Sequence, residues 1–174
     1  MIFNGIKLSA ARKKIAHLVD EQTSRSFSGP AKSLGIIVDA KNERAIETLI
    51  NIKDQLKIPA KDLLLFFNSA NKTKSTTIDS LNYNLQDFDI KGRIINKDLL
   101  ELTSRGVDLL ITFAGENNTA AHLLTAHFKA GIKVGRFQQN AALYDLVLQT
   151  EEDADLFGIE LLKYLKNLKK GNNE

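Results

Sequence analysis

Seven polar residues stand directly after short apolar runs, the place where a parallel sheet presents its ligand-facing edge. They are Asp39, Asn68, Glu116, Asn117, Asn118, Arg136 and Gln149. Asp39 and Glu116 have the chemistry of general acids or bases, and Arg136 that of a clamp for a carboxylate or phosphate. Asn68, Asn117 and Asn118 can hydrogen-bond the hydroxyls of a sugar. The same residue types also serve as strand-end turn formers and helix caps, and an Arg there can be spent on nearby carbonyls. We take Asp39, Asn68, Glu116, Asn117, Asn118 and Arg136 as a candidate ligand-binding set. No catalytic constellation, metal site or cofactor is assigned.

Other sites lack their parts. The chain has no cysteine, which removes disulfides, thiolate catalysis and cysteine-bound zinc. A Gly-x-Gly-x-x-Gly loop would be expected after the first strand, where Asp39-Ala40-Lys41-Asn42-Glu43 stands instead, and no Walker loop occurs. His122 and His127 are five apart on one predicted helix, on different faces, and His17 is far away in sequence. They read as solvated or core-edge histidines. No Gly-x-Ser-x-Gly elbow is present.

The elements that must carry the polar set follow from hydrophobic patterning. Val107–Phe113 is short and rich in branched residues, as a doubly buried strand should be. Gly115–Asn118 breaks it, with Asn118 placed to cap a helix over 119–129 that Gly131 stops, and a second strand starts at Ile132. Strand, helix and strand make a βαβ unit. Leu34–Val38, a helix capped by Asn42 with Ala45, Leu49, Ile52 and Leu56 inward, and Leu63–Phe67 make another. Residues 69–86 read as a long polar loop, 88–95 as a short edge strand, 97–105 as a helix, 144–148 as a last strand and 155–169 as a closing helix. The expectation is a three-layer, Rossmann-like α/β domain: a mostly parallel sheet of about five strands, with helices on both faces.

Leu8, Ala11, Ile15 and Leu18 mark an amphipathic amino-terminal helix over about 6–21. Lys7, Lys13 and Lys14 fall off that stripe. Residues 1–32 carry six basic side chains against two acidic ones, while the rest of the chain is close to neutral. The organisation expected is a basic helix and loop over 1–32, one α/β domain over 33–170 and a frayed tail over 171–174. Lys7, Arg12, Lys13 and Lys14 are the candidate partner-binding residues, for RNA, a ribonucleoprotein or a protein. Packing of this helix on the chain's own sheet competes with that reading. Peripheral contact with an anionic membrane is weakened by the absence of Trp. With no spanning segment and no secretory leader, a cytoplasmic protein is expected.

The order of features resembles a family of small α/β proteins from Bacteroidetes, a domain of unknown function. The resemblance rests on Ser33–Ala40 (SLGIIVDA), on DLLITF at 108–113, on FKAGIKVGR at 128–136, on Tyr144-Asp145-Leu146-Val147 and on the terminal YLKNL. It covers nearly the whole chain and implies no activity. More distantly, Val107–Gly135 is similar to the acceptor-side, amino-terminal half of heptosyltransferase-type glycosyltransferases. That likeness implies the fold. It argues against transferase activity by this chain alone, because the donor-binding domain of those enzymes has no counterpart here. The main expectation is a non-enzymatic binding or scaffold module docking through its basic helix. The alternative is a sugar- or phosphometabolite-binding protein, or a glycosyltransferase-like half-domain, acting at the strand ends.

Overall fold

The computed structural model describes residues 2–22, 27, 29–39, 43–68 and 80–171. Among these, helix α1 (Ile2–Glu21) precedes strand β1 (Leu34–Asp39), helix α2 (Glu43–Gln55), and strands β2 (Leu63–Asn68) and β3 (Ser80–Tyr83). Then come α3 (Lys97–Arg105), β4 (Val107–Phe113), α4 (Thr119–His127), β5 (Ala130–Gly135), β6 (Leu146–Val147) and α5 (Ala154–Gly171). The strands form one sheet in the order β3-β2-β1-β4-β5-β6. Every pairing is parallel. The order runs outward in both directions from β1 and β4, so the chain reverses its direction of travel between those two strands.

Both faces of the sheet are buried. On one, Ile36, Val38, Leu65, Leu109, Ile111 and Val134 pack against Leu49 and Ile52 of α2 and Phe157, Leu161 and Leu165 of α5. On the other, Ile37, Leu64, Phe66 and Leu110 meet Leu99 of α3 and Ala120, Ala121, Leu123 and Leu124 of α4, with Ala11 of α1 added. Alternate side chains along each strand go to opposite faces, and the unbroken apolar runs follow from that double burial.

Several sequence expectations change here. The sheet has six strands rather than about five. Ser80–Tyr83, inside the stretch read as loop, is the edge strand β3. The rest of that stretch at 69–79, and the expected cap Asn42, lie outside the described residues. Residues 88–95 form a tight turn closed by a Phe88–Ile94 bridge, not a strand of the sheet. Asp89 accepts the backbone N–H groups of Lys91 (2.8 Å) and Arg93 (2.9 Å) there, which holds the turn without any sheet partner. Helix α4 ends at His127, and Gly131 lies inside β5. Its role is clearance, since a Cβ there would stand 2.7 Å from the Asp108 carbonyl oxygen.

Helix α1 packs on the domain. Ala11 is buried, and Ile15, Leu18 and Val19 are half-buried against Ala126, Leu143 and Tyr144. The helix is only weakly amphipathic. Ile6 is 53% exposed, while two lysines lie on the packed side. Lys7 donates to the Gln86 side chain (3.2 Å) and the Phe88 carbonyl (3.3 Å). The Lys14 stem runs so close to Gly92 that a Cβ there would come within 2.8 Å of it. Long aliphatic stems let lysines cover apolar surface in this way.

Gly106 joins α3 to β4 with φ +73° and ψ 178°, a conformation open to glycine almost alone. A Cβ there would also meet the Lys129 carbonyl oxygen at 2.6 Å. Gly106→Ala is expected to cost about 2–4 kcal/mol, the sum of backbone strain and overpacking. A chemical-denaturation midpoint measures it.

Candidate functional site

β1, β2 and β3 end in one register row, Asp39 beside Asn68 and Asn68 beside Tyr83. All three side chains belong to the α4 face, by alternation from Ile37, Phe66 and Leu81. Across the reversal, β4 runs out at Phe113 and Gly115–Asn118 turns back into α4. The Asp39 carboxylate bridges the gap. Its Oδ2 accepts the Gly115 N–H at 2.9 Å and its Oδ1 accepts the Asn118 side-chain amide. Asn118 Nδ2 also donates to Asn68 Oδ1 at 3.2 Å, and Asn68 Nδ2 donates to the Tyr83 carbonyl at 3.4 Å.

Asn118 does two jobs at once. Its Oδ1 accepts the Ala121 N–H at 3.1 Å, closing the α4 amino terminus as an N-cap. Its amide holds the ends of β1 and β2. Asp39, Asn68 and Asn118 are all half-buried. Beneath it, Tyr83 is 1% exposed, and its hydroxyl has no hydrogen-bond partner. Burial pushes that phenol up, and the nearby Asp39 carboxylate pushes the same way.

His122, read from the sequence as a solvated or core-edge histidine, is a buried part of this turn. It is 5% exposed. Its Nδ1 lies 2.9 Å from the Tyr144 hydroxyl, and its Nε2 lies 3.1 Å from the Glu116 carbonyl and 3.3 Å from that of Gly115. Carbonyls only accept, so Nε2 carries the proton and Nδ1 accepts from Tyr144. The neutral ring therefore holds the β4–α4 turn from below. Tyr144 reaches this position because Gly135 has no side chain: a Cβ there would stand 2.5 Å from the Tyr144 ring. Thr112 and Thr125, 2.7 Å apart, stand beneath the Tyr144 hydroxyl. The signal for His122 was in the sequence: TAAHLLTAH is apolar on nearly every side, and such a helix is buried all round. A histidine inside it must be hydrogen-bonded.

Arg136 belongs to the opposite face, with Val134. Its guanidinium lies 3.9 Å above the Phe113 ring, and it donates to the Ala114 carbonyl at 2.9 Å and to the Glu151 carbonyl. It ties the ends of β4 and β5 to the 148–153 turn. Glu116 is half-buried, and Asn117 is exposed on the rim of the turn. Of the expected set, the structure thus brings Asp39, Asn68 and Asn118 together, flanks them with Glu116 and Asn117, and places Arg136 on the other side of the sheet. Gln149 donates to Gln138 at 3.4 Å, away from the cluster. Among the described residues, no three metal-ligating side chains converge. A cavity of about 310 Å³ between α2 and α5 is lined by groups that pair with one another, Thr48 with Asp155 (3.0 Å) and Arg44 with Asp155 (3.8 Å).

Burial lowers the affinity of His122 and of His127 for protons. A group whose folded-state pKa is depressed adds stability that is complete above its unfolded value, about 6.5. That stability is lost as pH falls through the folded value. Unfolding midpoints taken between about pH 7.5 and 5 should therefore decline, and His122→Gln should flatten part of the decline.

A parallel six-stranded sheet, helices on both faces and a polar cluster where the strand order reverses together define a three-layer, Rossmann-like α/β domain. The chain belongs to a family of unknown function (DUF6913), whose family model matches residues 7–168. No curated protein and no solved structure matches it. The family match takes in most of α1, in keeping with its packing on α4. Among the described residues, no helix is long and apolar enough to cross a membrane.

Proposed function

We propose that the chain is a non-catalytic binding domain that seats a small molecule at the sheet reversal, against Asp39, Asn68 and Asn118. One observation carries this reading. Side chains 50 and 79 positions apart in sequence are drawn into one half-buried, hydrogen-bonded row at the point where α/β sheets part to admit ligands. The row fixes its members to one another and to a helix start, which suits recognition better than proton transfer. A screen of nucleosides, sugars and sugar phosphates by thermal shift tests it. A ligand present at 100 times its dissociation constant stabilises by about 2.7 kcal/mol, or roughly 5–10 °C for a chain of this size. The shift should vanish in Asp39→Ala. No stabilising compound, or a shift that survives in Asp39→Ala, would count against the site.

A second reading rests on the outer side of α1, where Arg12 and Lys13 are exposed. These two, with a protein, RNA or ribonucleoprotein as partner, form the remaining cationic contact. Lys7 and Lys14 are engaged in holding α1 down. Replacing Arg12 and Lys13 with Glu should abolish capture of such a partner without changing the unfolding midpoint.

A further inference from the structure

The ligand class is written in what the cluster has used and what it has left. We propose that the sheet-reversal site recognises a neutral polyhydroxylated molecule through a pair of neighbouring hydroxyls held between Asp39 and Asn68, and that it discriminates against phosphate. This rests on the reading of that cluster as a ligand site.

A helix start at a sheet reversal usually draws an anion onto its unpaired N–H groups. Here the chain has supplied the anion itself. The Asp39 carboxylate takes the Gly115 N–H and the Asn118 amide, and the Asn118 side chain takes the Ala121 N–H. Among the described residues, the cation nearest this edge, Arg136, is turned to the other face with two of its nitrogens on main-chain carbonyls. Among the described residues, a phosphate would approach the Asp39 carboxylate with Arg136, the cation that feels its charge, held on the other face by main-chain carbonyls.

Hydroxyls meet the opposite situation. An ionised carboxylate has about four acceptor positions, and the described contacts of Asp39 fill two. Asn68 Nδ2 has two hydrogens, and one is spent on the Tyr83 carbonyl. Spare acceptors thus lie beside a spare donor on adjacent strands, one strand spacing apart. A hydroxyl both donates and accepts, so one of a pair can give its proton to Asp39 while its neighbour accepts from Asn68. The buried Tyr83 hydroxyl is a second, independent sign. It belongs to the residue that pairs with Asn68 in the same register row, and it has no partner.

The test titrates the isotope-labelled full chain with D-ribose, D-ribose 5-phosphate and methylammonium, following amide resonances. D-ribose should move Asn68, Gly115 and Asn118 saturably, and the phosphate should bind no tighter. Asp39→Asn should weaken D-ribose at least tenfold. Asn68→Ala, which leaves the Asp39 contacts to Gly115 and Asn118 in place, should weaken it as well and keeps the test decisive if the Asp39 variant fails to fold. Tenfold tighter binding of the phosphate at these residues, or a response to methylammonium alone, overturns the hydroxyl assignment and leaves the site standing. No response at these residues to any of the three overturns both.

Discussion

A chain shortened to begin at Ser33 will not fold cooperatively. Eight of the nine residues of α4 are buried, so α4 is enclosed by the sheet on one side and by α1 and the turns beside it on the other. Deleting α1 removes the cover from Ala126 and Tyr144 and the apolar contacts of Ala11, Ile15, Leu18 and Val19. Each fully buried aliphatic side chain is worth roughly 1.5–3 kcal/mol. Three half-buried ones, together with the Ala126 and Tyr144 surface they cover, therefore reach the lower end of the total stability of a domain, about 5–15 kcal/mol. The deletion also breaks the Gln22–Ala126 and Lys7–Phe88 bonds. Equilibrium urea unfolding and sedimentation measure the outcome: no sigmoidal transition and self-association of the exposed α4 face. An unchanged midpoint would show that α1 is an appendage.

Asn118→Ala should have the next largest effect. The variant loses the cap on α4, worth about 1 kcal/mol and up to about 2. It also removes an amide partner from the Asp39 carboxylate and the donor to Asn68 Oδ1, and a hydrogen bond to a charged group is worth about 1.5–3 kcal/mol. A loss of about 2–4 kcal/mol follows from the two together, or roughly 5–15 °C in melting temperature for a chain of this length. Asn118→Asp keeps the cap oxygen but faces Asp39 with a second carboxylate. It should recover less than half of the loss at neutral pH and more on acidification. If both variants melt like the parent, Asn118 does not join the two halves of the sheet.

The parts legible in the sequence were those that a single physical pattern dictates. β4 and α3 begin and end where apolar runs and flanking glycine and asparagine place them. Asn118 was recognisable as a cap because it precedes a helical pattern after turn formers. Its second role was not, since a side chain's partner 79 positions away leaves no local trace. Strand β3 was hidden for a related reason. Ser80-Leu81-Asn82-Tyr83 is four residues long on a sheet edge, and only parallel pairing with β2 reveals it. For α1, periodicity identified a helix but could not say what it packs against. Counting Lys7 and Lys14 as solvent-facing charges missed their role as spacers over the Gly92 turn. Arg136 illustrates alternation: its place after β5 was right, and the parity of that strand sends it to the far face.

The claim on which the rest depends is that Asp39, Asn68 and Asn118 form an open recognition row rather than a sealed structural joint. Crystals of the full chain grown with a concentrated neutral sugar such as D-ribose test it most directly. Sugar density is expected with one hydroxyl on Asp39 and its neighbour on Asn68, and the Asn118 contacts unchanged. A cluster closed over by protein, with sugar density absent or confined to the outer face of α1, would contradict it.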